Sequence, residues 1–114
     1  MILACADSRV APEIIFSGGL GDLFVVRVAG NIVDPRCYGV LGSIEYAIKE
    51  LNVPLVMVLG HEGCGAVKAA ISMIQKGTEL PSAIGILAAT IRPTVETGIP
   101  SGSRRIPHGG IAQC

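Results

Sequence analysis

The residues of this sequence with the clearest chemical potential fall in two short stretches. Cys5, Asp7 and Arg9 lie near the start of the chain, and His61 and Cys64 share a glycine-rich stretch further on. Two thiolates and one imidazole form a ligand set that suits zinc. Three such ligands leave the fourth position of a tetrahedral ion to water or substrate, as in a catalytic site. We therefore predict a site for Zn²⁺ as cofactor.

The role of Asp7 has more than one interpretation. Asp7 can occupy the fourth ligand position, or it can accept a hydrogen bond from a water on the metal while Arg9 holds its carboxylate. Asp7 and Arg9 can also be the N-cap and a solvated charge of the helix that follows. Likewise, Cys5 can be a small buried hydrophobe, His61 a core histidine and Cys64 a helix-packing residue. Because two ligand candidates share one loop, we favour metal binding.

The elements that must position these residues are strands and helices in alternation. Three apolar runs without polar alternation predict parallel strands that are buried on both faces. They are residues 2–5, 23–28 and 55–59. Apolar residues at helical spacing, with glycine and proline at the ends, predict helices between and after these runs. The helical segments are 39–51, 66–75 and 82–97, the last interrupted at Pro93, and the short crossover 10–21 holds a helix that begins near Pro12 and stops at glycines. The sequence thus predicts an α/β fold, with an open, mainly parallel β-sheet flanked by helices.

This fold places the candidate residues together. Ligands of open α/β sheets bind beyond the carboxyl ends of the strands. The first stretch of reactive residues follows the first predicted strand, and the second stretch follows the third. We expect one domain over residues 1–98 and an irregular tail over residues 99–114, where glycine and proline are frequent and periodicity is lost.

Composition bounds the class of protein. With 114 residues, the sequence is one domain or a piece of one. Apolar residues make up 50% and charged residues 16%, which is more apolar material than a small monomer easily buries, so we expect self-association. Nine basic and nine acidic residues, without Trp, give no support for binding to nucleic acid.

The distribution of apolar residues bears on location. The uncharged stretches are shorter than the ~20 residues of a membrane-spanning helix, so no transmembrane helix is predicted. The start has no basic leader of the kind that opens a secretory signal. We expect a cytoplasmic, thiol-reducing location.

Four ordered motifs over residues 2–76 resemble the β-class carbonic anhydrases. They are Cys5-Ala6-Asp7-Ser8-Arg9, Gly21-Asp22-Leu23-Phe24-Val25-Val26-Arg27-Val28-Ala29-Gly30-Asn31, Gly42-Ser43-Ile44-Glu45-Tyr46-Ala47 and His61-Glu62-Gly63-Cys64-Gly65-Ala66. The resemblance implies an enzyme that reversibly hydrates carbon dioxide to bicarbonate and a proton, as a homodimer or a dimer of dimers.

The resemblance also implies roles for individual residues. Cys5, His61 and Cys64 would be the zinc ligands. Asp7 and Arg9 would form the dyad that orients the nucleophile, and Asp7 would bind the metal in a closed state. The remaining implied residues line or adjoin the substrate pocket, partly across a dimer interface; they are Phe24, Ala29, Tyr46 and Gly65.

Departures from the family pattern keep other functions open. Family members usually carry N-terminal helices and a further C-terminal strand, so we expect a truncated member of the family. One alternative is a catalytically silent, zinc-stabilised association module. Another is a hydrolase of carbonyl sulfide or carbon disulfide on the same fold. A thiol redox enzyme is disfavoured because no C-x-x-C motif is present. We expect no role for Cys37, Cys114 or His108.

Overall fold

The computed structural model describes residues 1–7, 9–77 and 81–98. The chain divides into two compact units, Met1–His61 and Glu62–Cys114. The predicted irregular tail, with Cys114 and His108, lies outside the described residues, and so does Ser8 of the first motif.

The first unit is built on a parallel sheet of three strands. The strands are β1 (Ile2–Ala4), β2 (Val25–Arg27) and β3 (Met57–Leu59), in the order β2-β1-β3. Ala4 pairs with Arg27 on one side and with Leu59 on the other. Because the last residues of all three strands lie side by side, the segments that follow them start at the same edge of the sheet. The predicted parallel sheet is confirmed, although each strand is shorter than its apolar run.

Burial differs between the strands. All of β1 is buried, whereas β2 is buried only at Val26 and β3 is mostly exposed. Burial on both faces is therefore the wrong expectation for β2 and β3. The physical reason is position, because β1 has a neighbouring strand on each side, while β2 and β3 are the outer strands of the sheet.

Short helical segments connect the strands of the first unit. Helix α1 (Pro12–Ile15) has Pro at its start, where the missing backbone N–H costs nothing. After β2, a 3-10 turn (Ala29–Asn31) precedes helix α2 (Tyr38–Lys49). Ala47 of α2 is fully buried in the core beside the sheet. Met1, Leu3, Val26 and Ala47 form this core, with Phe24, Val28, Val40, Ile44 and Val53 packed against them.

The second unit contains two packed helices, α3 (Gly65–Lys76) and α4 (Ala83–Gly98). Helix α3 ends at Gly77 in the left-handed conformation, as the sequence predicts. The predicted interruption at Pro93 is wrong, because α4 continues through it. A proline removes one backbone donor, and the helix keeps the hydrogen bonds on either side. Within the described ranges, no helix combines the length and apolar character needed to cross a bilayer.

Candidate metal centre

Cys5 is the residue that follows β1, and it is buried. Backbone hydrogen bonds hold this part of the chain beyond the end of the strand, because Ala6 donates to the Val28 carbonyl at 3.2 Å. The backbone N–H of Gly30 lies 3.4 Å from the Cys5 Sγ and donates to it. A hydrogen bond to sulfur favours the thiolate, which is the form that binds a metal.

His61 and Cys64 lie in the loop between β3 and α3. The imidazole Nε2 of His61 is buried. Gly63 has a φ of +66°, a left-handed conformation that glycine adopts without strain and that turns the chain toward Cys64. Cys64 is the N-cap of α3. The fold therefore presents an imidazole and a thiol three residues apart.

The structure brings together the three residues that the sequence nominates as metal ligands. One donor atom from each of Cys5, His61 and Cys64 lies within 4.8 Å of the others. Zinc bonds of about 2.0 to 2.3 Å in a tetrahedron place such atoms roughly 3.3 to 3.8 Å apart, so small side-chain adjustments let one ion reach all three. Two sulfurs and one imidazole nitrogen are also the donor types that zinc takes. The residues fit a zinc ion.

Asp7 is paired with Arg9 and is not part of this group. The Arg9 Nε lies 3.0 Å from each carboxylate oxygen, the Nη2 contacts Oδ2, and the backbone N–H of Arg9 donates to Oδ1 at 3.1 Å. These side-chain and backbone hydrogen bonds, with a smaller effect from the charge of Arg9, hold the pKa of Asp7 far below its ordinary value. Asp7 is thus a carboxylate at neutral pH, and the N-cap of α1 is Ala11 rather than Asp7.

A second pair, Asp34 and Arg36, repeats this geometry elsewhere in the chain. The Arg36 backbone N–H and Nε donate to Asp34 Oδ1 at 2.8 and 2.9 Å, and Nη2 donates to Oδ2 at 2.6 Å. Arg36 lowers the pKa of Asp34 to about 2. The fork is therefore a local property of the Asp-x-Arg spacing. What distinguishes the first pair is its place directly after Cys5.

Three of the four predicted pocket residues lie in three different helical elements, and Phe24 directly precedes β2. The rings of Phe24 and Tyr46 are 6.3 Å apart between centroids and tilted by 35°, and Tyr46 on α2 is 52% exposed. Ala29 opens the 3-10 turn, and Gly65 is the first residue of α3, directly after Cys64. The roles of these four residues in a substrate pocket stay predictions.

Sequence reasoning missed two residues that contact the loops of the site. The Arg27 guanidinium donates to the backbone carbonyls of Cys5 and Asp7. The Asn31 side-chain amide donates to the Leu59 carbonyl at 2.8 Å, two residues before His61. In the sequence, Arg27 is a cation at the end of an apolar run, and Asn31 is an asparagine after a glycine. Neither pattern indicates which backbone carbonyl the side chain will contact.

Comparison with known proteins decides the family. The protein-family model described as "Carbonic anhydrase" matches residues 1–107. This chain belongs to the carbonic anhydrase family. It is 51% identical over 106 residues to "Carbonic anhydrase 2" of Mycobacterium tuberculosis, covering 93% of this chain and 50% of that protein. It is 48% identical over 107 residues to "Carbonic anhydrase" of Mycolicibacterium smegmatis, with coverages of 93% and 50%. The chain spans about half the length of the curated relatives it matches.

Solved structures assign the β class within the carbonic anhydrase family. A β-carbonic anhydrase from Coccomyxa in complex with acetazolamide matches with a TM-score of 0.82 and 26% identity, over 96% of this chain and 48% of that one. The β-carbonic anhydrase CcaA matches with a TM-score of 0.79 and 30% identity, over 96% and 54%. The predicted α/β fold and the resemblance to the β-class enzymes are confirmed.

Proposed function

We propose that the protein containing this chain is a zinc enzyme that reversibly hydrates carbon dioxide to bicarbonate and a proton. The observation that carries the proposal is the cluster of Cys5, His61 and Cys64, whose donor atoms lie within 4.8 Å of one another in a chain of this family. The Asp7–Arg9 pair directly after Cys5 supports the same function, since it supplies a fixed carboxylate two residues from a ligand.

The three ligand residues would hold the metal, and their chemistry sets its character. When bound, Zn²⁺ supplies a Lewis acid that lowers the pKa of a coordinated water from 15.7 toward about 7. Two thiolates, from Cys5 and Cys64, donate more negative charge than neutral imidazoles do. We therefore expect a higher pKa for that water than with three imidazoles, and activity that rises toward alkaline pH.

Asp7 would accept a hydrogen bond from the attacking water. Its carboxylate is an acceptor at neutral pH, because Arg9 keeps it ionised. A carboxylate oxygen that accepts this hydrogen bond aims a lone pair of the water at the carbon of carbon dioxide. Arg9 fixes the plane of the carboxylate through both oxygens and through its own backbone N–H. Asp7 is therefore the proposed catalytic residue, and Arg9 positions it.

The remaining residues that the family resemblance indicates would bind an uncharged, linear substrate. Phe24, Ala29 and Tyr46 offer apolar walls, as carbon dioxide requires. The backbone N–H of Gly65 belongs to the first turn of α3, where such groups have no partner within the helix. We propose that it donates to a substrate oxygen, on which negative charge develops as bicarbonate forms.

We further propose that the protein is a homodimer or a dimer of dimers. In the described part of the first unit, several large apolar side chains are exposed. Examples are Ile14, Leu20, Tyr38, Leu55 and Val58. Exposed apolar surface of this kind often marks a site of protein association. Two β-carbonic anhydrases from Sordaria macrospora are described as tetrameric, and one matches this chain with 27% identity, a TM-score of 0.75 and coverages of 84% and 47%. Light scattering behind gel filtration measures the mass. A cytoplasmic location stays a prediction.

Stopped-flow carbon dioxide hydration tests the proposed reaction. The zinc-free protein and the same sample after zinc is restored are compared from neutral to alkaline pH. Turnover that needs zinc and rises with pH supports the proposal. Stoichiometric zinc in a folded protein without turnover contradicts it and favours the association module. Turnover of carbonyl sulfide or carbon disulfide in place of carbon dioxide favours the hydrolase.

A further inference from the structure

We infer that Arg27 and Asn31, neither of which is among the predicted metal ligands, are positioning residues for the metal centre. Arg27 fixes the loop that carries Cys5 and Asp7, and Asn31 fixes the end of β3 from which His61 follows. The inference rests on the proposed zinc site and adds residues that set its geometry.

Arg27 binds the backbone of the first loop from the neighbouring strand. The parallel register pairs Arg27 with Ala4, so the side chain starts beside the point where the loop begins. Its Nε donates to the Cys5 carbonyl at 2.9 Å, and its Nη2 donates to the carbonyls of Asp7 at 2.6 Å and Val10 at 3.3 Å. One rigid guanidinium thereby fixes the peptide groups that follow both Cys5 and Asp7.

The Asp7 carboxylate does not compete for this cation. The Asp7 carboxylate accepts its hydrogen bonds from Arg9, so the two arginines contact different groups of the same segment. Arg9 orients the carboxylate, and Arg27 orients the backbone from which that carboxylate extends. Arg27 thus donates to three backbone carbonyls beyond the end of β1.

Asn31 contacts the end of β3, the strand that precedes His61. It is buried, with 6% of its surface exposed, and it has a φ of +56°, a conformation that few residue types other than glycine and asparagine adopt readily. In this conformation the side-chain amide donates to the carbonyl of Leu59, the last residue of β3. His61 follows two residues later, so this hydrogen bond fixes where its loop begins.

The two contacts belong to one continuous segment. Between Arg27 and Asn31, the backbone N–H of Gly30 donates to the Cys5 Sγ. The segment therefore touches the Cys5 backbone, the Cys5 sulfur and the end of β3. Groups that orient metal ligands in this way typically change metal affinity by about 10-fold to 100-fold when they are removed.

The test compares zinc affinity in paired variants of the full protein. Arg27→Met removes the donors, with Arg36→Met as the control at an exposed arginine of the second Asp-x-Arg pair. Asn31→Gly removes the amide and retains the positive φ, with Asn52→Gly as the control at an asparagine with a φ of +51°. Chelator competition measures the zinc dissociation constant. We expect a rise of about 10-fold or more in both test variants and unchanged constants in both controls.

A second readout separates positioning from folding. The absorption spectrum of the Co²⁺ derivative reports thiolate ligation and coordination geometry. Only the molecules that bind the metal contribute to it, so a partly unfolded variant can still be compared. We expect altered bands in Arg27→Met and Asn31→Gly, and partial recovery in Arg27→Lys, which retains one donor group at this place.

The results distinguish a failure of the positioning role from a failure of the proposed metal centre. Unchanged affinity and spectra in the two test variants overturn this inference alone, even if their zinc-free forms unfold at a lower temperature. That combination would indicate a purely structural role. A parent protein that does not bind zinc through Cys5, His61 and Cys64 overturns the proposed metal centre as well.

Discussion

The role of Asp7 leads to the sharpest functional prediction. In Asp7→Asn, one carboxylate oxygen becomes an NH₂ group of nearly the same size, so packing changes little. Arg9 donates to both oxygens of the native carboxylate, and the amide presents it with only one acceptor. The variant therefore loses the negative charge, part of the fork and the fixed direction of the remaining lone pairs.

The size of the effect follows from the role that Asp7 plays. A group that orients an attacking atom has a large effect on rate, because a misplacement of about 1 Å can cost about 10²-fold. We expect kcat for carbon dioxide hydration to fall by roughly 10²-fold. Zinc content should stay stoichiometric, because Asp7 lies outside the ligand group.

The chain supplies its own control for this experiment. Asp34→Asn makes the same chemical change in a fork with the same donors, and Asp34 is not among the clustered ligand residues. Stopped-flow hydration and zinc analysis are made on both variants. Parental turnover in Asp7→Asn, or an equal loss in Asp34→Asn, would contradict the catalytic role of Asp7. Loss of zinc in Asp7→Asn would identify Asp7 as a metal ligand instead.

Three further predictions concern the metal and the fold. Cys5→Ser should lose stoichiometric zinc, measured by mass spectrometry of the metal, whereas Cys37→Ser, which changes an exposed thiol, should retain it. Leu3→Ala should lower the free energy of unfolding in urea by about 2 to 5 kcal/mol, because Leu3 is 3% exposed on the central strand. Leu20→Ala, at a fully exposed side chain, should leave the free energy of unfolding nearly unchanged. Finally, the folded-state pKa of Asp34 is lowered from 3.8 to about 2, so its carboxylate stabilises the fold above pH 3.8. That stabilisation should disappear as the pH falls toward 2, and acid unfolding followed by circular dichroism should show a smaller change in Asp34→Asn.

Much of the fold follows from local patterns in the sequence. The apolar run at Ile2 predicts a strand whose complete burial the structure confirms. Pro12 and Gly77 mark a helix start and a helix end, because each has a backbone preference that acts locally. Likewise, the order of strands and helices predicts a parallel sheet, and the sheet brings Cys5 and His61 to one edge.

The expectations that failed, and the residues that were missed, depend on contacts with other parts of the structure. The apolar run that contains Met57 is the same whether its strand is central or outer, so the exposure of β3 follows only from the strand order. Pro93 disfavours a helix locally, but the bonds on either side carry α4 through it. Arg27 and Asn31 were missed because their acceptors are backbone carbonyls, brought near by a register that the sequence does not state.

X-ray absorption at the zinc edge of the metal-loaded protein tests the proposed ligand set. We predict two sulfur ligands at about 2.3 Å and lighter nitrogen or oxygen ligands at about 2.0 to 2.1 Å. A zinc ion with four sulfur ligands, or with none, would contradict it.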